Sequence, residues 1–157
     1  MHTLIIYYSR TGITRKVAEI LKTKLNADIE EINDPTDRKG VFGYLKSGKE
    51  ATQKTMPGIG EIKSNLNSYD LVVIGTPIWA WNISSPIRTF VVKYMLGSAP
   101  QIAVFCTQGG SGSDTAQKTI EELSGKNSRA LLSLNTKDVL LGNYNESIDK
   151  FVEKLTG

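Results

Sequence analysis

Residues 5–21 read IIYYSRTGITRKVAEIL, and this stretch decides the fold. Its first four residues form the continuous apolar run expected of a strand buried on both faces. Val17, Ala18, Ile20 and Leu21 then recur at helical spacing. Between the two lies SRTGIT (9–14), a tight turn crowded with hydroxyl residues and one glycine. A strand that runs straight into a helix leaves the helix's first N–H groups unpaired and aimed into the turn, at the positive end of the helix dipole. Such a turn attracts an anion. The hydroxyls of Ser9, Thr11 and Thr14 can donate to phosphate oxygens, and Gly12 permits close approach or a positive φ. The stretch has neither the G-K-[ST] ending of a nucleotide P-loop nor the G-x-G-x-x-G of a dinucleotide fingerprint.

The same rhythm continues along the chain. TLIIYY (3–8), DLVVIG (70–75) and QIAVFC (101–106) read as buried parallel strands, DIEEI (28–32) as a weaker one, and ALLSLN (130–135) as a fifth. DVLLG (138–142) is expected to extend the fifth strand after a kink or to form a short separate piece. Helices are predicted over 14–26, over 86–95 with Pro86 behind a Ser85 cap, over 114–124, and at the C-terminus through Ile148, Phe151, Val152 and Leu155. Residues 35–60, rich in Gly and Lys, are expected to hold a ragged crossover helix near 42–54. A lid or partner-binding role is the other reading of that stretch.

The 157 residues, 39% of them hydrophobic, suit one domain over 1–157. A net charge of +3 gives no argument for nucleic acid. No apolar run reaches the ~20 residues of a membrane span and no secretory leader is visible, so a cytoplasmic location is expected. With one cysteine (Cys106) and one histidine (His2), a disulfide, a metal centre and a histidine-based triad are not expected. Cys106 reads as a small buried thiol.

Two further strand-end loops carry chemistry. GTPIWAWNISSP (75–86) sets Trp79 and Trp81 in an otherwise polar loop, where a flat ring is a natural partner. CTQGGSGSD (106–114) offers small residues and free amides.

The stretch from Ile5 to Leu21 resembles the flavodoxin signature, carried by Ile5, Ile6, Tyr7, Ser9, Gly12, Thr14, Ala18 and Leu21. The resemblance implies an α/β three-layer sandwich around a five-stranded parallel sheet of order 2-1-3-4-5, with FMN at the C-terminal strand ends. Flavodoxin is itself the standing example of that switch-point placement. The resemblance also implies cofactor contacts from Ser9, Arg10, Thr11, Gly12, Ile13 and Thr14. The second loop would contribute Thr76, Pro77, Ile78, Trp79, Ala80, Trp81 and Asn82, with Trp79 or Trp81 stacking on the isoalloxazine. Thr107, Gln108, Gly109, Gly110 and Gly112 would meet its pyrimidine edge. Family members turn a second-loop peptide toward the flavin, a movement eased by glycine; Trp79-Ala80-Trp81-Asn82 has none, and Asn82 is the residue expected to take a positive φ. No catalytic side chain is implied, because the cofactor carries the electrons between this protein and a redox partner protein. The alternative function is an FMN-dependent NAD(P)H:quinone-type oxidoreductase. A flavin-free receiver of the same topology would need acidic residues at the end of the first strand, where this chain has Tyr8 and Ser9.

Overall fold

The computed structural model describes residues Met1–Gly157. Strands β1 (Thr3–Tyr7), β2 (Asp28–Glu31), β3 (Leu71–Trp79), β5 (Gln101–Gln108) and β6 (Ser128–Asn135) form a parallel sheet in the order β2-β1-β3-β5-β6. A two-residue strand, β4 (Asn82–Ile83), folds back antiparallel on the end of β3. Leaving that hairpin aside, the order is the expected 2-1-3-4-5. The long apolar runs occupy the middle of the sheet, where both faces are covered: every residue of β1 and the first six of β3 are buried. The weak run 28–32 lies at the edge, as its mixed composition suggests.

Alternation along the strands divides the interior in two. Ile5, Val73, Ala103 and Phe105 face Val17 and Leu21 of α1 (Ile13–Leu25), Val139 of α5 (Thr136–Leu141) and Phe151 of α6 (Asn145–Thr156). Leu4, Ile74, Val104 and Cys106 face the other way. They meet Ala51 of α2 (Gly40–Thr52), Ile87 and Phe90 of α3 (Ser85–Phe90) and Ile120 of α4 (Ser113–Ser124). Three layers result, helices on both sides of one sheet. No helix is long and apolar enough to cross a membrane.

Two local expectations are corrected. DVLLG does not continue the fifth strand; 136–141 is helix α5. The Asn135 side chain accepts the Lys137 N–H at 2.9 Å as an N-cap, and Gly142 ends the helix at φ 81°. Those cap signals outweigh a short apolar run that strand and helix fit equally well. Ser85 is not the cap of α3 either. Ser84 occupies that position, while the Ser85 hydroxyl donates to Glu50 at 2.8 Å. Beyond Phe90 the helix widens into a π-type turn, Val91–Met95.

Cys106 lies wholly inside, and burial pushes its thiol up from the ordinary 9.0 to about 12. The folded protein keeps this proton where the unfolded chain releases it. Its contribution to stability is therefore complete below pH 9 and fades as pH climbs toward 12. Over that window the thiol alone should cost about 1 kcal/mol of stability per pH unit. Urea melts across the window should show this fall in the wild type and a shallower one in Cys106→Ala.

Candidate functional site

At the C-terminal ends of β1, β3 and β5, three loops surround a cleft of about 970 Å³, and α2 supplies a fourth wall. Its floor begins at the turn between β1 and α1. Gly12 takes φ 93° at the head of α1, which has no side-chain cap and no acidic residue in its first turn. The leading N–H groups of the helix thus meet the cleft without an internal competitor. Arg10, Thr11, Ile13 and Thr14 line it; Ser9 and Gly12 do not. The Ser9 hydroxyl accepts the Gly12 N–H at 3.0 Å, which shapes the turn and leaves the hydroxyl proton free to donate. Thr14 is buried, and its hydroxyl pairs with that of Thr107 at 2.8 Å, tying the first loop to the third.

Arg10, expected as a cofactor contact, lines the cleft and has a second task as well. Its side chain turns along the rim, donates to the carbonyls of Arg38 (2.8 Å) and Gly40 (3.0 Å), and lies 5.7 Å from the centre of the Tyr44 ring. It therefore clasps the start of α2 to the turn.

Both tryptophans of the second loop line the cleft, but they differ in exposure. Trp79 is buried, its ring held edge-on by Tyr8 at 5.5 Å and covered by the Arg38 guanidinium at 5.0 Å. Trp81, 70% exposed, stands at the cleft wall with its ring free. The residue expected to carry a positive φ is wrong by one or two places: Ala80 (φ 47°) and Trp81 (φ 61°) are left-handed, and Asn82 is extended in β4, paired with Trp79. A two-residue hairpin needs both central residues left-handed to match the twist of its strands, and the chain meets that need with Ala and Trp where Asn-Gly is usual. The hairpin is thus under strain and holds Trp81 out in solvent. Ala80→Gly should relieve part of the strain and stabilise the flavin-free protein by about 0.5 kcal/mol, read as a shift of its urea midpoint.

Pro77, Ile78, Gly109 and Gly110 also border the cleft; Thr76, Asn82, Gln108 and Gly112 do not. Thr76 is fully buried and fixes the base of the hairpin, accepting the Ser84 N–H at 3.0 Å. The Asn82 side-chain amide oxygen Oδ1 accepts from the Ile83 N–H and from Arg88. Gln108 reaches the other way, donating to Ser133 at 2.7 Å. Gly112, at φ 116°, lets the third loop pack against the hairpin, since a Cβ there would come within 2.9 Å of Ile78 and of Trp81.

The helix expected near 42–54 is α2, and it forms a wall of the cleft, although none of its residues was among the expected contacts. Tyr44, Leu45, Ser47 and Lys49 line the cleft facing the hairpin. Arg38 holds this helix in place. It is buried, paired with the carboxylates of Asp34 and Glu50 (the latter at 2.7 Å), and donates to Ser47 and Ser85. Burial works against its charge, but the two carboxylates outweigh burial and its pKa lies above the ordinary arginine value. The signal in the sequence was Val41, Phe42, Tyr44 and Leu45, four large apolar residues in a stretch with no matching core stripe.

A phosphate suits the uncapped head of α1, and a flat ring suits the free face of Trp81 with Tyr44 across the cleft. No group of three or more His, Cys, Asp or Glu is placed to hold a metal ion.

A family model described as flavodoxin matches residues 2–155. Among solved structures, a flavoprotein from Lactobacillus acidophilus NCFM in complex with FMN is 25% identical with TM-score 0.74, covering 96% of this chain and 97% of its own. A protein from Bacteroides uniformis ATCC 8492, also described as a flavoprotein, is 23% identical with TM-score 0.76 and 97% coverage of each chain. Oxidised flavodoxin 2 from Bacillus cereus shares the fold at 16% identity and TM-score 0.62, over 98% of this chain and 97% of its own. No curated protein matches the sequence. With a family model spanning nearly its whole length and the parallel sheet and strand-end cleft that go with it, the chain belongs to the flavodoxin family.

Proposed function

We propose that this protein, as one flavodoxin-like domain, binds FMN in the strand-end cleft and mediates electron transfer with a partner protein. The observation that carries the proposal is the uncapped, acid-free head of α1 opening into a cleft whose far wall is the exposed Trp81 ring. The α1 amides and the hydroxyls of Ser9, Thr11 and Thr14 would hold the phosphate, and Trp81 would lie along the ring. The third loop, through Gly109, Gly110 and the Thr107 hydroxyl, would meet the ring's polar edge, a reading supported by their place in the cleft lining. Bound FMN supplies one- and two-electron chemistry. The chain's part is to grip the phosphate, orient the ring and limit water on its faces.

Titration of FMN into the flavin-free protein, followed by flavin fluorescence, tests this: saturable quenching is expected, and its absence removes the proposal. Thr14→Ala deletes a hydroxyl from the phosphate end and should weaken affinity by about 1 kcal/mol, roughly fivefold. A fall confined to protein stability, with affinity intact, would move Thr14 from the cofactor to the frame.

The size of the cleft, about 970 Å³, with exposed Tyr44 and Leu45 on its α2 wall, also favours a second reading, in which a flat reductant or acceptor enters beside the flavin. Steady NAD(P)H oxidation by the FMN-loaded protein with an added quinone would identify an oxidoreductase. Reduction only through a separate reductase would identify a carrier.

A further inference from the structure

Helix α2 is amphipathic the wrong way round. Its inward residues are small (Gly43, Ser47, Ala51), and a Cβ at position 43 would come within 2.0 Å of the Arg38 carbonyl carbon. Its large apolar residues face water: Phe42 is 88% exposed, Val41 72% and Leu45 59%. Close packing explains the small inner face; nothing in the folded chain uses the apolar outer one. Monomeric proteins seldom leave several large apolar side chains side by side in solvent without a partner for them.

Positive charge is in excess around this face. Lys39 and Lys46 are exposed and enter no ion pair. Lys49 likewise has no acid partner, while Asp34 and Glu50 are consumed by Arg38. Asp37, the remaining nearby acid, accepts the Lys39 N–H and keeps its negative charge, so three lysines stand against one free carboxylate. An apolar centre with a basic rim is therefore presented next to the cleft.

We propose that the outward face of α2, centred on Phe42 and rimmed by Lys39 and Lys46, docks an acidic redox protein whose contact surface is apolar at its centre and carboxylate-lined at its edge. This rests on the FMN electron-transfer reading and names the partner's chemistry. A second copy of this chain fits badly, because a two-fold contact through this face sets its lysines against the same lysines. A small neutral acceptor fits badly too. It would occupy the cleft and leave Phe42, outside the cleft, unexplained. Opposite charge would speed encounter, and the apolar centre would set how long the complex lasts.

The test uses the FMN-loaded, ¹⁵N-labelled protein titrated with an acidic plant-type iron–sulfur ferredoxin and, separately, with basic cytochrome c. Amide signals over 39–46 should respond to the ferredoxin alone, and affinity should fall about tenfold or more between low salt and about 0.3 M salt. Lys39→Glu with Lys46→Glu, and separately Phe42→Ser, should each weaken docking about tenfold while FMN titrations of the same variants match the wild type. The proposal is overturned if the ferredoxin leaves these amides unmoved, if the variants dock as the wild type does, or if cytochrome c perturbs the same face. It is equally overturned if α2 signals shift with protein concentration alone, or respond to a neutral quinone and not to the ferredoxin. Failure of FMN to bind would strike the underlying function instead, and is read in a separate titration.

Discussion

Arg38→Met is expected to destabilise the protein by about 3–5 kcal/mol, the usual result of breaking a buried ion pair from one side. The Asp34 side chain is 2% exposed and that of Glu50 13%, so both carboxylates would lose their partner with little access to water. Loss of the Trp79 contact adds to the damage. The effect would not stop at stability. Because Arg38 joins α2 to α3 through Ser47 and Ser85, its loss should loosen the wall that carries Tyr44 and weaken FMN binding as well. Chemical denaturation measures the first effect and flavin fluorescence the second. A compensated variant, Arg38→Met with Asp34→Leu and Glu50→Leu, should regain most of the stability, since apolar replacement of a whole buried ion network is often neutral or better. If Arg38→Met melts with the wild type, the network does not anchor the helix.

Thr11→Asp should separate the two meanings of the first turn. Thr11 is exposed and leads into the uncapped head of α1, where a carboxylate meets unpaired N–H groups and the positive end of the dipole. The flavin-free protein should therefore gain a few tenths of a kcal/mol, up to about 1. The same carboxylate occupies the place proposed for a phosphate dianion, and FMN affinity should fall by about 2 kcal/mol or more, at least thirtyfold, an effect that added salt would reduce. A structural turn predicts the gain without the loss. Thermal melts without flavin and FMN titrations at two ionic strengths distinguish the outcomes, and unchanged FMN affinity in Thr11→Asp would remove the phosphate from this turn.

The parts of the fold that were legible in the sequence are those where one physical signal acts alone. Continuous apolar runs marked β1, β3 and β5 because a strand covered on both faces has no polar positions. SRTGIT was readable because a strand-to-helix turn exposes amides whatever the rest of the chain does. DVLLG was misread because a short apolar run is compatible with strand and helix, and the deciding signals were its flanks, Asn135 and Gly142. The site was legible loop by loop but not in how the loops work together. Arg10 was named as a cofactor contact and lines the cleft, but its long-range hydrogen bonds to the carbonyls of Arg38 and Gly40 could not be read from the turn. Trp79 and Trp81 are two residues apart and indistinguishable by type. Only the hairpin, which brings Trp79 under Arg38 and leaves Trp81 at the tip, tells them apart. A helix was expected near 42–54 and α2 is there, but its inverted face stayed hidden, because periodicity arguments assume that large apolar residues point inward.

The central sheet keeps its two interiors apart. Helix α1, with the proposed anion grip, belongs to one of them; the second loop, α2 and Arg38 belong to the other. Anchoring a cofactor and tuning the surroundings of its ring are thus assigned to opposite sides of a rigid partition. Such a scaffold can change its redox character or its partner by altering one half while the half that retains the cofactor stays as it was.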